Sequence, residues 1–436
     1  MNSSASTRRP VVITGIGVIS PIGTEVDKFW TNLSQGVSGV VRIPPDDPNH
    51  RAGEIGGLVA NFTDETAKKE FLRAHRKSIK VMCREIQLGV ASAAKAMEHS
   101  GLDLDAIDHQ RLGIDFGANL MLSPPSVLKD ACWACVGEAG EVHASPWGAL
   151  GLQNMEPLWL LKYLPNMPAC HIGIHADARG PNNSITLDEA SGNLALGEAY
   201  RVIDRNHADI MIAGTTGTRL HPVQALHSQM WHTLADTPED PALRCRPFDA
   251  NRTGQVVGEG ACSFILEEES HARSRGANIL ATVIGAGASC VGKRDGSVDL
   301  RQAMVNAIRA AFRDAGVAPD QIGHINANAS GEPEADAAEA QAILETFGDA
   351  AAKVPVTAIK SFVGNAGSGC GTIELAASIC GLAHGVIPHT LNFATPDPKC
   401  PLDVVHGEPR AAQNKVFLKI SCTSLGQASA LVVKCD

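Results

Sequence analysis

A strand–helix rhythm runs through this chain twice. Residues 11–19 (VVITGIGVI) form a nearly unbroken apolar run that leads into a Gly-rich turn, the pattern of a strand covered on both faces. Apolar positions at helical spacing over 78–100 (Ile79, Met82, Ile86, Leu88, Val90, Ala94) predict a helix stopped by Gly101. Strands are expected at 111–117, 208–214 and 262–267, with a helix over 193–205 and a short charged helix running to Arg275-Gly276. The second half repeats the alternation: strand 279–285, helix 302–315, strand 324–327, helix 334–347, strand 354–359, helix 372–382, then paired strands within 416–433. Two successive runs of this kind imply an α/β protein of two similar halves packed as one body, alike in rhythm more than in residue identity. The expected boundaries are a disordered tail over 1–10, an N-terminal half over 11–270 and a C-terminal half over 271–436.

Composition narrows the function classes. A 44% hydrophobic content over 436 residues is ample for a core and excludes wholesale disorder. Charge is acidic and evenly spread, 37 Lys+Arg against 47 Asp+Glu, which argues against a general nucleic-acid binder. No apolar run approaches the roughly 20 residues of a membrane helix, and the polar start is no signal peptide, so no membrane association and a cytoplasmic location are expected. Twelve cysteines are then reduced packing thiols by default. The Cys132-Trp-Ala-Cys135 pair has no second pair for zinc, and a redox role is its alternative. His171, His175, His221, His227 and His232 show no ligand spacing backed by a third group, so no metal is expected and satisfied core or surface histidines are the default. GIGVISPIG lacks the three-glycine spacing of a dinucleotide fingerprint and places Pro21 where the helix should open. Residues 118–165, with Pro124-Pro125 and Pro146, are expected to be irregular and to serve an interface or a pocket lid.

Read together and in order, VVITGIGVISPIG, LPNMPACHIGIHADARGPNNSIT, ADIMIAG, RPFDANRTGQVVGEGA, TAIKSFVGNAGSG and IPHTLNFATPDPKCPLD span nearly the whole chain. They resemble the β-ketoacyl-acyl-carrier-protein synthases, the elongating condensing enzymes of the thiolase fold. The resemblance implies a thiolase-like five-layer α-β-α-β-α body, normally a dimer through a central sheet strand. It also implies work in fatty-acid or polyketide biosynthesis and an acyl carrier protein as partner. No resident cofactor is implied, since the phosphopantetheine arm arrives on the carrier.

Such enzymes use a thiolate at a helix N-terminus to take the acyl chain, two imidazoles to decarboxylate malonyl-carrier, and a backbone N–H pair for the oxyanion. Here SITLDEASGN stands where the family has S-I-x-x-A-C-A-x-G-N, which puts Glu189 at the nucleophile position. INANASGEP puts Asn328 at the first His position, and KSFVGNAGSG puts Asn365 at the second. Lys360 remains from the polar catalytic set, with Asp336 and Glu339 as supporting acidic residues. The closing loop reads 423–428 as TSLGQA, with Ser424 at the gating Phe position and Gly426 in the stretch that supplies an oxyanion N–H.

A carboxylate is a poor nucleophile toward a thioester, and the anhydride it would form is high in energy. Asparagines cannot shuttle protons, which removes help worth roughly 10²–10⁴-fold. An ionised buried carboxylate would also repel malonate. Ordinary condensation by this chain alone is therefore not expected. The structural expectation for Glu189 is that it caps the helix start and meets its dipole, or pairs with Lys360, with Asn328 and Asn365 completing the hydrogen-bond network. Cys370 is expected to be packing.

Three functions fit. The favoured one is a non-condensing, chain-length-factor-like subunit that pairs with an active synthase as a heterodimer, a homodimer being the other possibility. The second is an acyltransferase or hydrolase acting on acyl thioesters with Glu189 as base. The third is a carrier-docking scaffold. Lys68, Lys69, Arg73, Arg76 and Lys77 form a basic cluster suited to an acidic carrier helix, with a solvated charged face as the alternative.

Overall fold

Eleven strands join into one mixed sheet in the computed structural model, which describes residues 8–45, 54–236 and 240–435. The first half supplies β1 (Val11–Ile19), α1 (Arg84–Ser100), β2 (Leu112–Ala118), β3 (Asn182–Ile185), α2 (Ser191–Asp204), β4 (Ile210–Thr218), α3 (Pro222–Trp231) and β5 (Glu259–Glu268). The second supplies β6 (Ala281–Cys290), α4 (Leu300–Ala315), β7 (His324–Asn326), α5 (Pro333–Phe347), β8 (Pro355–Thr357), α6 (Cys370–Ala383), β9 (Asp403–Val404), β10 (Val416–Cys422) and β11 (Gln427–Cys435). The strand order is β9-β8-β7-β10-β11-β6-β1-β5-β4-β2-β3. Read outward from the centre, β1-β5-β4-β2-β3 and β6-β11-β10-β7-β8 are the same topology, so the repeated rhythm is a repeated fold. The halves are stitched where Val11–Ile13 of β1 pair antiparallel with residues 283–281 of β6.

The same symmetry explains glycines that sit inside strands rather than in a turn. A Cβ on Gly15 or Gly17 of β1 would strike backbone oxygens of Ala96 and Ser92 in α1, at 2.4 and 2.0 Å. On Gly285 or Gly287 of β6 it would strike those of Ala311 and Ala307 in α4, at 2.6 and 2.1 Å. Each outer helix thus lies directly on the first strand of its half. Between the two halves of the sheet lie α2 and α6. Thirteen residues of α6, Cys370 to Leu382, are buried, Glu374 among them. Outer helix, sheet, α2 with α6, sheet, outer helices: this is the expected five-layer arrangement.

Several local expectations are corrected. Arg8 and Arg9, assigned to the disordered tail, are held by Asp314 at 2.8 Å and Asp209 at 2.7 Å, while residues 1–7 lie outside the described residues. The helix expected from residue 78 begins at Arg84, and Ile79–Val81 form a separate 3-10 turn whose Ile79 is buried. Its end at Gly101, in the left-handed conformation at φ 61°, is as expected. The stretch 118–165 contains a helix, Pro125–Trp133, opened by a proline at its first turn. Cys132 and Cys135 are free thiols, the latter buried. Among the described residues no helix is long and apolar enough to cross a membrane.

Candidate functional site

Two tight turns meet between the sheet halves. The first precedes α2 and carries Asp188 and Glu189. The second precedes α6 and carries Asn365. They are held together where the two helices touch: a Cβ on Gly192 would lie 2.9 Å from Gly371 Cα. The backbone at Asp188 is left-handed (φ 41°), as it is at Ala329 (φ 43°) beside Asn328. Non-glycine residues pay conformational energy for this geometry, and such strain clusters at functional turns.

Glu189 is buried and neither caps α2 nor pairs with Lys360. The N-terminus of α2 has no side-chain cap. Instead Glu189 Oε1 lies 2.9 Å from the Arg219 guanidinium and accepts from Asn365 Nδ2 at 2.8 Å. Arg219 follows the end of β4, is itself buried, and also reaches Asp188 at 3.6 Å and Gln255 at 3.3 Å. Asn365 Nδ2 also donates to Gln255, and its Oδ1 accepts from Gly367 N at 3.0 Å. Burial pushes the Glu189 carboxyl up, but Arg219, His232 and the Asn365 amide together outweigh that push and hold it at about 2. Asp188 goes the other way, raised by burial and by the Glu189 charge.

Lys360 belongs to a second cluster. Its Nζ donates to Asn328 O (2.7 Å), Asn328 Oδ1 (3.2 Å) and Glu374 Oε1 (2.7 Å). Lys419, fully buried, holds the other oxygen of Glu374 at 2.7 Å. One α6 carboxylate therefore serves two ammonium groups. Glu339 accepts from the backbone N–H of Asn328 and Ala329, both at 2.7 Å, and burial raises it to about 7 despite those donors. Asp336 accepts from the N–H of Phe248 and Gly331 at 2.9 and 3.0 Å, and burial raises it to about 6. Asn365 thus joins Glu189, whereas Asn328 joins Lys360. Cys370 is buried, its Sγ accepts from Ala366 N at 3.0 Å, and burial pushes the thiol up to about 12, so it stays protonated near neutrality.

A cavity of about 280 Å3 opens onto this site, lined among others by Glu189, Asn328, His232, Glu332, Thr423 and Ser424. Ser424 stands at its rim. Gly426 is outside the lining and holds the loop turn at φ 83°, where a Cβ would lie 2.8 Å from Val291 O. His232 corrects the expectation of an ordinary core or surface histidine, because it brings an imidazole to the cavity. Its Nδ1 is 3.4 Å from Glu332 Oε1. Sequence reasoning missed both His232 and Arg219. An arginine ending the buried run 210–218 is a signal that a carboxylate must be near; His232 carries no such local signal. Among the described residues no group of three His, Cys, Asp or Glu is arranged to hold a metal.

Comparison with known proteins places these features in a family. The model of the β-ketoacyl synthase N-terminal domain matches residues 8–272, and that of the C-terminal domain matches 280–394. A 3-oxoacyl-[acyl-carrier-protein] synthase 2 from Coxiella burnetii is 32% identical over 404 residues, 92% of this chain and 93% of that protein. Among solved structures, the ishigamide ketosynthase/chain length factor superposes with a TM-score of 0.82 at 28% identity, over 99% of this chain and 100% of that one. A type II polyketide synthase acyl-carrier protein in complex with its ketosynthase gives 0.81 at 25% identity, with the same coverage.

Proposed function

The chain belongs to the β-ketoacyl synthase family, whose condensing fold serves fatty-acid or polyketide synthesis, and we propose that it is a non-condensing, chain-length-factor-like subunit that pairs with an active synthase. The observation that carries this reading is Glu189. At the position where the resemblance requires a free thiolate, the side chain is a carboxylate already engaged by Arg219 and Asn365. The two positions that should supply imidazoles supply amides, each oriented by buried neighbours.

Pairing is supported by the sheet edge. β3 is terminal in the strand order, with Asn182 and Asn183 exposed, so its ladder groups are open to a partner strand. The segments around it expose large apolar side chains: Ile174 (79%) on the helix of residues 167–176, which packs on β3, and Leu120 (62%) just past its paired strand β2. Exposed apolar surface of that kind marks an interface. Carrier docking is assigned to Lys68, Lys69, Arg73, Arg76 and Lys77, all exposed around the turns before α1. The acyl-carrier complex of the related ketosynthase supports the same partner here.

The test is to purify the chain alone and together with a synthase bearing the Cys-His-His set, supplying acyl-carrier and malonyl-carrier. Two-carbon extension is expected only from the pair. Extension by the isolated chain refutes the reading.

A further inference from the structure

The cavity beside Glu189 is lined by one imidazole, that of His232, and Glu189 itself is already engaged. That carboxylate is ionised, and its Oε1 is committed to Arg219 and Asn365. The imidazole of His232 is the group that remains. Its backbone N–H donates to Ser228 O at 2.9 Å, which fixes the residue at the end of α3. Its Nδ1 faces Glu332 Oε1 at ion-pair distance, out of line for a hydrogen bond, so the nitrogen is buried without a hydrogen-bond partner. That carboxylate oxygen is in turn fixed by Thr233 N–H at 2.9 Å and Gln255 Nε2 at 3.4 Å. An imidazole with a fixed carboxylate at ion-pair distance from one nitrogen, and a cavity beside the ring, is placed to take a proton from a molecule held there.

Asn328 supplies the complementary group. Its Oδ1 accepts from Lys360 Nζ and from Cys422 N–H at 3.4 Å, so the amide cannot turn over without losing a buried ammonium. The Nδ2 donor is therefore the end of the amide turned to the cavity. A carbonyl lying there would meet a fixed N–H, and that donor strengthens as the oxygen becomes anionic.

We infer from this arrangement that the cavity hydrolyses acyl thioesters, with His232 as general base, Asn328 as oxyanion donor and Glu332 as the residue that positions His232. A water molecule gives a proton to His232, its oxygen bonds to the thioester carbonyl carbon, and the carbonyl oxygen accepts from Asn328 Nδ2. The C–S bond then breaks and His232 returns the proton to sulfur. One water and one thioester give one carboxylic acid and one thiol, with no other reactant. The inference rests on the reading of the chain as a non-condensing handler of carrier-bound acyl groups, and adds discharge of the carrier to that role.

The test follows thiol release from octanoyl-pantetheine by the intact chain, with mass spectrometry of the acyl product. His232→Gln is expected to lower kcat by about 10²–10⁴-fold with little change in KM. Asn328→Ala should also lower kcat, while Glu332→Gln should lower kcat with KM held and Glu332→Asp should restore part of the loss. Thermal melting checks that each variant is folded. Release by wild type no faster than by folded His232→Gln overturns the inference. If that variant does not fold, release by folded Asn328→Ala as fast as by wild type overturns it instead. In a second arm with malonyl-pantetheine added, a lengthened β-ketoacyl product would count against the non-condensing reading, whereas absence of free octanoate in the first arm counts against hydrolysis alone.

Discussion

Replacing Arg219 by Met probes the ion pair on which the site is built. Arg219 and Glu189 both have side chains only 6% exposed. Removing one partner of such a buried pair leaves an uncompensated charge, at a cost of about 3–5 kcal/mol, against about 0–1 kcal/mol for an exposed pair. The pH dependence distinguishes charge from lost packing. In the native protein Glu189 is held at about 2, below its ordinary 4.5, so its contribution is fully present above pH 4.5 and is lost as pH falls toward 2. Without Arg219 the largest influence opposing burial is gone, so the Glu189 value rises from about 2 and its ionisation stabilises the fold less. The gap between wild type and Arg219→Met should therefore be several kcal/mol at pH 7, smaller at pH 4, and close only as pH approaches 2. Adding Glu189→Gln should recover much of the loss, a coupling of about 2–3 kcal/mol. Urea titrations followed by the fluorescence of the five tryptophans, at pH 4 and 7, measure all three quantities. A loss below about 1 kcal/mol at pH 7, or one that is the same at both pH values, refutes the buried-pair account.

Three further outcomes follow from the same network. Glu189→Cys is expected to leave condensation at background in a radiolabelled malonyl-carrier assay, because Asn328 and Asn365 still supply no acid–base help; full activity would show that the amides suffice. Glu374→Gln should destabilise more than Lys360→Met in thermal melts, since the first leaves two buried ammonium groups without their carboxylate and the second leaves the Lys419–Glu374 pair intact; the reverse order would contradict the shared-carboxylate arrangement. Burial raises Glu85 to about 8 despite the Asn119 N–H that it accepts at 2.8 Å. The unfolded chain therefore gives up this proton first, and stability falls as pH rises from about 4.5 to 8. Glu85→Gln should flatten that fall in melting temperature between pH 5 and pH 8, and an unchanged slope would remove Glu85 as its source.

What the sequence disclosed and what it withheld divide along a physical line. The β1 run, the Gly101 stop and the paired strands at the C-terminus were legible because periodicity and turn chemistry are local properties. The positions of Glu189, Asn328 and Asn365 were legible because they sit in segments with a recognisable pattern. Their partners were not. Arg219 and Lys360 are both cations within reach of the same region, and only the approach of the β4 end to the α2 start decides that Arg219 takes Glu189. His232 reaches the cavity because α3 ends there and Glu332 comes from the turn before α5. Neither fact is written in the residues around position 232.

The contact between Gly192 and Gly371 has a mechanical consequence. The helices that begin just after Glu189 and Asn365 abut with no side chain between them, so neither turn can shift without dragging the other. Adjustment to different occupants is therefore denied to the site's floor and left to the loop of Thr423 to Gly426. An alanine at either glycine would act as a wedge at the base of the site, spreading Glu189 from Asn365.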